Sequence, residues 1–111
     1  MNSKIKHYKR ADLQLKPAVP GAKMWGVALA HTLLTYFEVE AESRFAAHSH
    51  ESEQITMVLE GELYFEVNGE IVCVGSGEVI AIPSMEPHAA FTKGKPVKAV
   101  DAWSPVMEKY K

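Results

Sequence analysis

Glu62-Leu63-Tyr64-Phe65-Glu66-Val67-Asn68-Gly69-Glu70-Ile71-Val72-Cys73-Val74 is the stretch that decides the class of fold. Over residues 62–67 polar and apolar side chains alternate almost strictly, so Leu63, Phe65 and Val67 share one face of an extended strand. Asn68-Gly69 follows, the pair that suits a two-residue type I′ turn because both central positions need positive φ. The chain then returns as a second strand over 71–74. Working outward, further strand-like runs cover 24–30, 33–39, 55–59, 79–82, 88–92 and 97–103, separated by Gly75-Ser76-Gly77, Pro83-Ser84 and Lys93-Gly94-Lys95-Pro96. No segment has a helical period. Eight or so short strands predict an all-β sandwich or barrel that closes on itself to protect its edges.

The 111 residues, 47% of them hydrophobic, suffice for one core, and no internal repeat or second domain is visible. Residues 1–21, polar and punctuated by Pro17 and Pro20-Gly21, read as an N-terminal arm or edge strand ahead of a barrel domain over 22–111. A net charge of −2 with scattered Lys and Arg offers no surface for phosphates, so nucleic acid is not expected as a partner. No stretch approaches the ~18 apolar residues of a membrane span, and the cytoplasm is the expected compartment. The single cysteine, Cys73, leaves no internal disulfide and reads as a buried strand residue rather than a nucleophile.

The chemistry concentrates in His48-Ser49-His50, Gln54 and His88. Imidazoles two residues apart on an extended strand point to the same side, which favours a shared metal ion. A straight strand would carry Gln54 roughly 20 Å from His48 at about 3.3 Å per residue. The chain must therefore turn at Glu51-Ser52-Glu53 and bring Gln54 back on a neighbouring strand. Imidazole ligands suit Zn, Ni, Cu and Fe rather than Ca or Mg. His7 and His31 read as ordinary surface or core residues, and Glu51 and Glu53 are alternative ligands beside the motif.

These residues resemble the cupin family of jelly-roll β-barrels. Its first motif runs Gly, five residues, His-x-His, three or four residues, Glu, six residues, Gly, and is matched through His48, His50, Gln54 and Gly61. Its second runs Gly, five residues, Pro-x-Gly, two residues, His, and is matched by Gly77, Pro83 and His88. Glu42 and Met85 stand where the motifs carry glycine, so tight turns there must be made by ordinary residues. Gln54 stands in place of the usual Glu. The resemblance implies a single-domain jelly-roll barrel holding one divalent transition metal (Ni, Zn, Fe or Mn) through His48, His50, Gln54 and His88. With no carboxylate among the ligands, the ion would be a stronger Lewis acid.

Gln at that position, together with Val100-Asp101-Ala102-Trp103-Ser104-Pro105, is similar to the pectin-degradation cupins, which open the ring of 4,5-unsaturated uronates. That similarity implies a small-molecule substrate, a sugar acid, with Asp101 moving the proton and Trp103 stacking on the sugar. By period two alone, Asp101 and Trp103 share a strand face, and an exposed edge-strand Asp beside a core Trp is the competing reading. Arg44, Tyr36 and Tyr64 are further candidates for substrate contact, Tyr64 the weaker because it lies between Glu62 and Glu66. The alternatives to an isomerase are a metal-dependent dioxygenase and a non-catalytic small-molecule binder. A homodimer is expected, with the arm of residues 4–20 available to complete a partner's sheet edge.

Overall fold

A computed structural model describes residues 4–111, and their regular structure is almost wholly β. Ten strands follow in order: β1 (Lys16–Pro17), β2 (Ala22–Ala28), β3 (Leu33–Val39), β4 (Arg44–His48), β5 (Glu53–Glu60), β6 (Glu62–Val67), β7 (Glu70–Gly75), β8 (Val79–Ile82), β9 (His88–Phe91) and β10 (Val97–Ser104). They form two antiparallel sheets, ordered β1-β2-β3-β10-β5-β8 and β4-β9-β6-β7. This is the jelly-roll arrangement. The sheets share one apolar core, in which Phe37, Val58, Phe65 and Val97 are almost fully buried.

The hairpin turns where its sequence requires. Asn68 and Gly69 take φ values of 51° and 76°. Leu63 and Phe65 face the core, whereas Tyr64 and the outward positions of β7 do not. Cys73 departs from expectation. It pairs with Tyr64 on the outer side of β7, an edge strand, and its thiol donates to Glu62 at 3.3 Å. Its apolar neighbours disguised a residue whose strand has a free side.

Elsewhere β3 and β8 keep their expected bounds, and the other expected strands end within one or two residues of theirs. β1 pairs with β2 of its own chain, and Pro17 is tolerated there because the strand is an edge. β4 stops at His48, so His50 lies beyond its end rather than on the same strand. On the outer face of the larger sheet, Leu34, Ala102, Ile55 and Ala81 stand in register across four strands.

Both non-glycine turns adopt the left-handed backbone that glycine would take most easily: φ is 59° at Glu42 and 67° at Met85. The Met85 amide donates to the His50 carbonyl at 2.8 Å, so this turn also braces a histidine. Left-handed backbone costs an ordinary residue about 1–2 kcal/mol, partly offset by the ~0.5–1 kcal/mol of chain entropy that glycine loses on folding. Met85→Gly is thus expected to raise unfolding free energy by ~0.5–1 kcal/mol, measured by urea denaturation. An unchanged or lower value would show that the turn is unstrained.

Candidate metal centre

Three strand ends bring the histidines together. His48 closes β4 and pairs with His88 at the start of β9, and His50 sits in the following turn. Ring centroids are 4.5 Å apart for His48–His88, 5.0 Å for His50–His88 and 5.3 Å for His48–His50. One nitrogen from each lies within 4.8 Å of the others, a group that could hold a metal ion. Glu51 and Glu53 are exposed and lie outside this group; His7 and His31 are surface residues.

The backbone settles which nitrogen each ring presents. Nδ1 of His48, His50 and His88 lies 2.7, 2.7 and 2.9 Å from the carbonyls of Ala46, Ser52 and Glu86. A carbonyl only accepts, so each Nδ1 carries a proton and Nε2 is the nitrogen left to face a metal, as in metal-binding histidines generally. Burial holds His88 below the usual imidazole range against its bond to Glu86, and the neighbouring charges of His48 and His50 act in the same direction. It is therefore neutral at pH 7.

Gln54 provides the test of fit. Its amide nitrogen donates to Thr56 Oγ1 at 2.9 Å and faces Asp101 Oδ1 at 3.5 Å, which turns its oxygen the other way. That oxygen lies 3.1 Å from His50 Nε2. A cation placed between them would be faced by both the amide oxygen and the imidazole nitrogen. Three imidazole lone pairs and an amide oxygen suit a divalent transition ion.

Asp101, on β10, is enclosed by this network. Thr35 donates to its Oδ2 at 3.0 Å, and Thr56 donates to Oδ1. Trp103 Nε1 donates in turn to Thr35 at 2.8 Å. Burial raises the Asp101 pKa to about 6, because the three hydrogen bonds from Thr56, Thr35 and Gln54 only partly replace lost water. The exposed edge-strand reading of Asp101 is thereby excluded. Neither threonine was legible as a site residue, since they lie 66 and 45 residues from Asp101.

Asp101, Gln54, His48, His88 and Trp103 all line one cavity of about 50 Å³, whose remaining wall is apolar and includes Phe37, Phe45 and Phe65. Tyr110, another residue the sequence reading missed, closes it from the C-terminal turn Glu108–Tyr110. Its ring packs edge-on against Phe37 at 5.1 Å and tilted against Trp103 at 5.4 Å. Its backbone oxygen would collide with a Cβ at position 26, so Gly26 is needed for this approach. Tyr110 also borders an open groove of about 560 Å³ shared with His48, His50 and Lys109.

Arg44 does not reach the cavity. It forks onto Glu66 at 3.1 and 3.2 Å on the exposed side of the smaller sheet, because Phe45 takes the inward position. Tyr36 faces outward and donates to Glu38 at 2.7 Å, and Tyr64 stacks outside on Phe91 at 5.3 Å.

The barrel and its three-histidine cluster define a class of small β-barrels with a candidate metal site. The cupin domain family matches residues 35–103, and the chain belongs to that family. No curated protein sequence matches it. Among solved structures, KdgF from Halomonas sp. superposes with a TM-score of 0.84 at 20% identity, covering 93% of this chain and 97% of that one. A RmlC-like cupin from Shewanella frigidimarina gives 0.86 at 19%, covering 96% and 97%. The polyketide cyclase RemF from Streptomyces resistomycificus gives 0.79 at 26%, covering 92% and 80%. No helix among the described residues is long and apolar enough to cross a membrane.

Two outcomes are expected. His50→Ala and His88→Ala should each lose bound transition metal by elemental analysis with the β-rich circular dichroism retained; full metal content in both would refute the centre. The second concerns pH. An Asp pKa raised from 3.8 to about 6 makes the native state bind the proton more tightly, so stability falls as pH rises from about 4 to about 6. At 1.36 kcal/mol per unit, this is a loss on the order of 3 kcal/mol. Metal-free wild type minus Asp101→Asn, compared by urea denaturation from pH 4 to 7, isolates it from His88, whose shift acts in the opposite direction. A flat difference would show that Asp101 is not perturbed.

Proposed function

We propose that this cupin opens the ring of 4,5-unsaturated uronate sugars in a metal-dependent isomerisation, with Asp101 as the proton carrier. The observation that carries the reading is the buried carboxylate tied through the Gln54 amide to the histidine cluster within one cavity. Ring opening breaks the bond between C1 and the ring oxygen. The C1 hydroxyl proton leaves as the aldehyde forms, and C4 gains a proton as C5 becomes a ketone. One proton moves and nothing is oxidised. A carboxyl group titrating near 6 can both take and return it close to neutral pH.

His48, His50, His88 and Gln54 would hold the ion. When bound, it supplies Lewis-acid polarisation of substrate oxygens, undiminished by any ligand carboxylate. Among the residues that line the cavity there is no Lys or Arg, so the ion's charge would also receive the substrate carboxylate. Trp103, with its N–H committed to Thr35, offers only its ring to the sugar. The cavity is a third of the ~150 Å³ that holds a benzene. Tyr110 must therefore swing away to admit a sugar acid from the groove beside His48.

The cavity's phenylalanine-rich wall favours a second reading, in which an apolar carbonyl compound is cyclised or isomerised at the same centre; the likeness to a polyketide cyclase supports it. Proton NMR of freshly lyase-generated unsaturated uronate separates the two. Asp101→Asn should keep its metal and slow ring opening roughly 100-fold to 10,000-fold, the usual range for a lost general acid or base. Trp103→Ala should mainly raise KM. Wild-type ring opening no faster than the spontaneous reaction, at full metal loading, excludes the uronate reading. Oxygen uptake in the same vessel would instead indicate a dioxygenase.

A further inference from the structure

The polar side chains around the histidines are tied to one another or to the backbone, and Tyr110 is the exception. It is 7% exposed, yet among the described residues its hydroxyl has no hydrogen-bond partner. Packing against Phe37 and Trp103 holds the ring. Burial, and after it the charge of Asp101, raises its pKa, so the phenol is neutral at pH 7.

The element that carries Tyr110 is slight. The chain leaving β10 is fixed where Ser52 donates to the Pro105 carbonyl at 2.6 Å. Beyond that point the turn Glu108–Tyr110 has no side-chain cap, and its backbone closes through the Tyr110 amide donating to the Met107 carbonyl at 2.9 Å. Lys16 Nζ donates to the Lys111 carbonyl at 3.3 Å and Lys111 pairs with Glu108 at 3.7 Å, both at the exposed surface, where such ties contribute little. The Tyr110 carbonyl itself rests over Gly26.

Tyr110, Phe45 and His48 border both the cavity of about 50 Å³ and the groove of about 560 Å³. Phe45 and His48 are fixed on β4, whereas Tyr110 lies on no strand, so its departure would join the two spaces. His48 and His50 also border the groove, so an anion of a few atoms reaches the histidines with Tyr110 in place. Arg44 and Lys109 border the groove, and no Asp or Glu does. Arg44 is committed to Glu66; Lys109 is in no ion pair among the described residues. An incoming anion is therefore drawn to the residue next to Tyr110.

We propose that Tyr110 is an internal occupant of the ligand site, and that a ring-shaped anion binds at the histidines by taking the place of its ring while residues 108–111 hinge outward at Met107. Position 110 then decides which ligands enter: small anions pass, and ring compounds wait for the turn to open. The proposal rests on the reading that ligands bind at the histidine cavity, whichever reaction follows there.

Protein loaded with cobalt(II) tests it, because the ion's visible spectrum changes when an anion joins it. In stopped-flow mixing with the wild type, the azide rate should climb in proportion to concentration, whereas the benzoate rate should level off at the opening rate of the turn. Tyr110→Ala should remove that ceiling and speed benzoate by roughly 10-fold or more, since opening no longer unpacks an aromatic ring, and leave azide within about 2-fold. Benzoate that fails to bind the wild type, binds it without a ceiling, or binds both proteins at one rate overturns the proposal, while azide binding in the same proteins upholds the site. Should Tyr110→Ala fail to fold, Gly26→Ala decides: its methyl lifts the Tyr110 carbonyl off its seat and should raise the ceiling, and an unchanged ceiling overturns the proposal. Azide and benzoate both silent, or no cobalt bound, overturns the metal centre and the proposal with it.

Discussion

The hydrogen bonds around Asp101 hold the site together. Burying a carboxylate without a cation beside it is costly, and the cost falls only as far as hydrogen bonds replace the water removed. Here Thr35, Thr56 and Gln54, on the two strands flanking β10, make that replacement in part. Each hydroxyl is committed in direction: Trp103 can only donate, so Thr35 must turn its proton to Asp101, and Thr56, receiving from Gln54, does the same. The amide of Gln54 consequently has one sensible orientation. Its oxygen is aimed at the histidines by a carboxylate that touches none of them.

A similar economy operates at the histidines. Each ring is held by a backbone carbonyl two residues away, so orientation and tautomer come from local turn geometry. Loops that make such contacts run close to the limit of allowed backbone conformation. Met85, in the left-handed region, donates to the carbonyl of His50, and Glu42 donates to Lys93 on the far side of the same barrel. Strain of this kind persists where surrounding structure dictates it and tends to gather at functional sites.

The chemistry of the cavity follows from what is absent from its lining as much as from what is present. Four neutral donors, His48, His50, His88 and Gln54, would leave a bound ion's charge uncompensated, and the Asp101 carboxylate lies behind the Gln54 amide. The apolar wall and the Tyr110 closure would select a ligand by shape and exclude water. Arg44 and Lys109 both border the groove beside the histidines, the Lys109 ammonium lying 5.4 Å from the Tyr110 ring.

Period-two alternation and the Asn68-Gly69 turn determined the β architecture because both act over a few residues, where chain sterics leave little choice. The spacing of His48, His50, Gln54 and His88 likewise made their proximity legible, since two strands and a turn suffice to bring the first three together. The sequence could not show that His50 lies past a strand end, that Cys73 sits on the free side of an edge, or that Arg44 is turned outward to Glu66. Nor could it reveal Thr35, Thr56 and Tyr110 around Asp101. Those facts depend on which strands become neighbours, and pairing β3 and β5 with β10 is a choice made by the whole core. Local chemistry determined what each residue can do; only the tertiary structure decided which residues do it together, because hydrogen bonds and burial act over a few ångströms, whatever the separation along the chain.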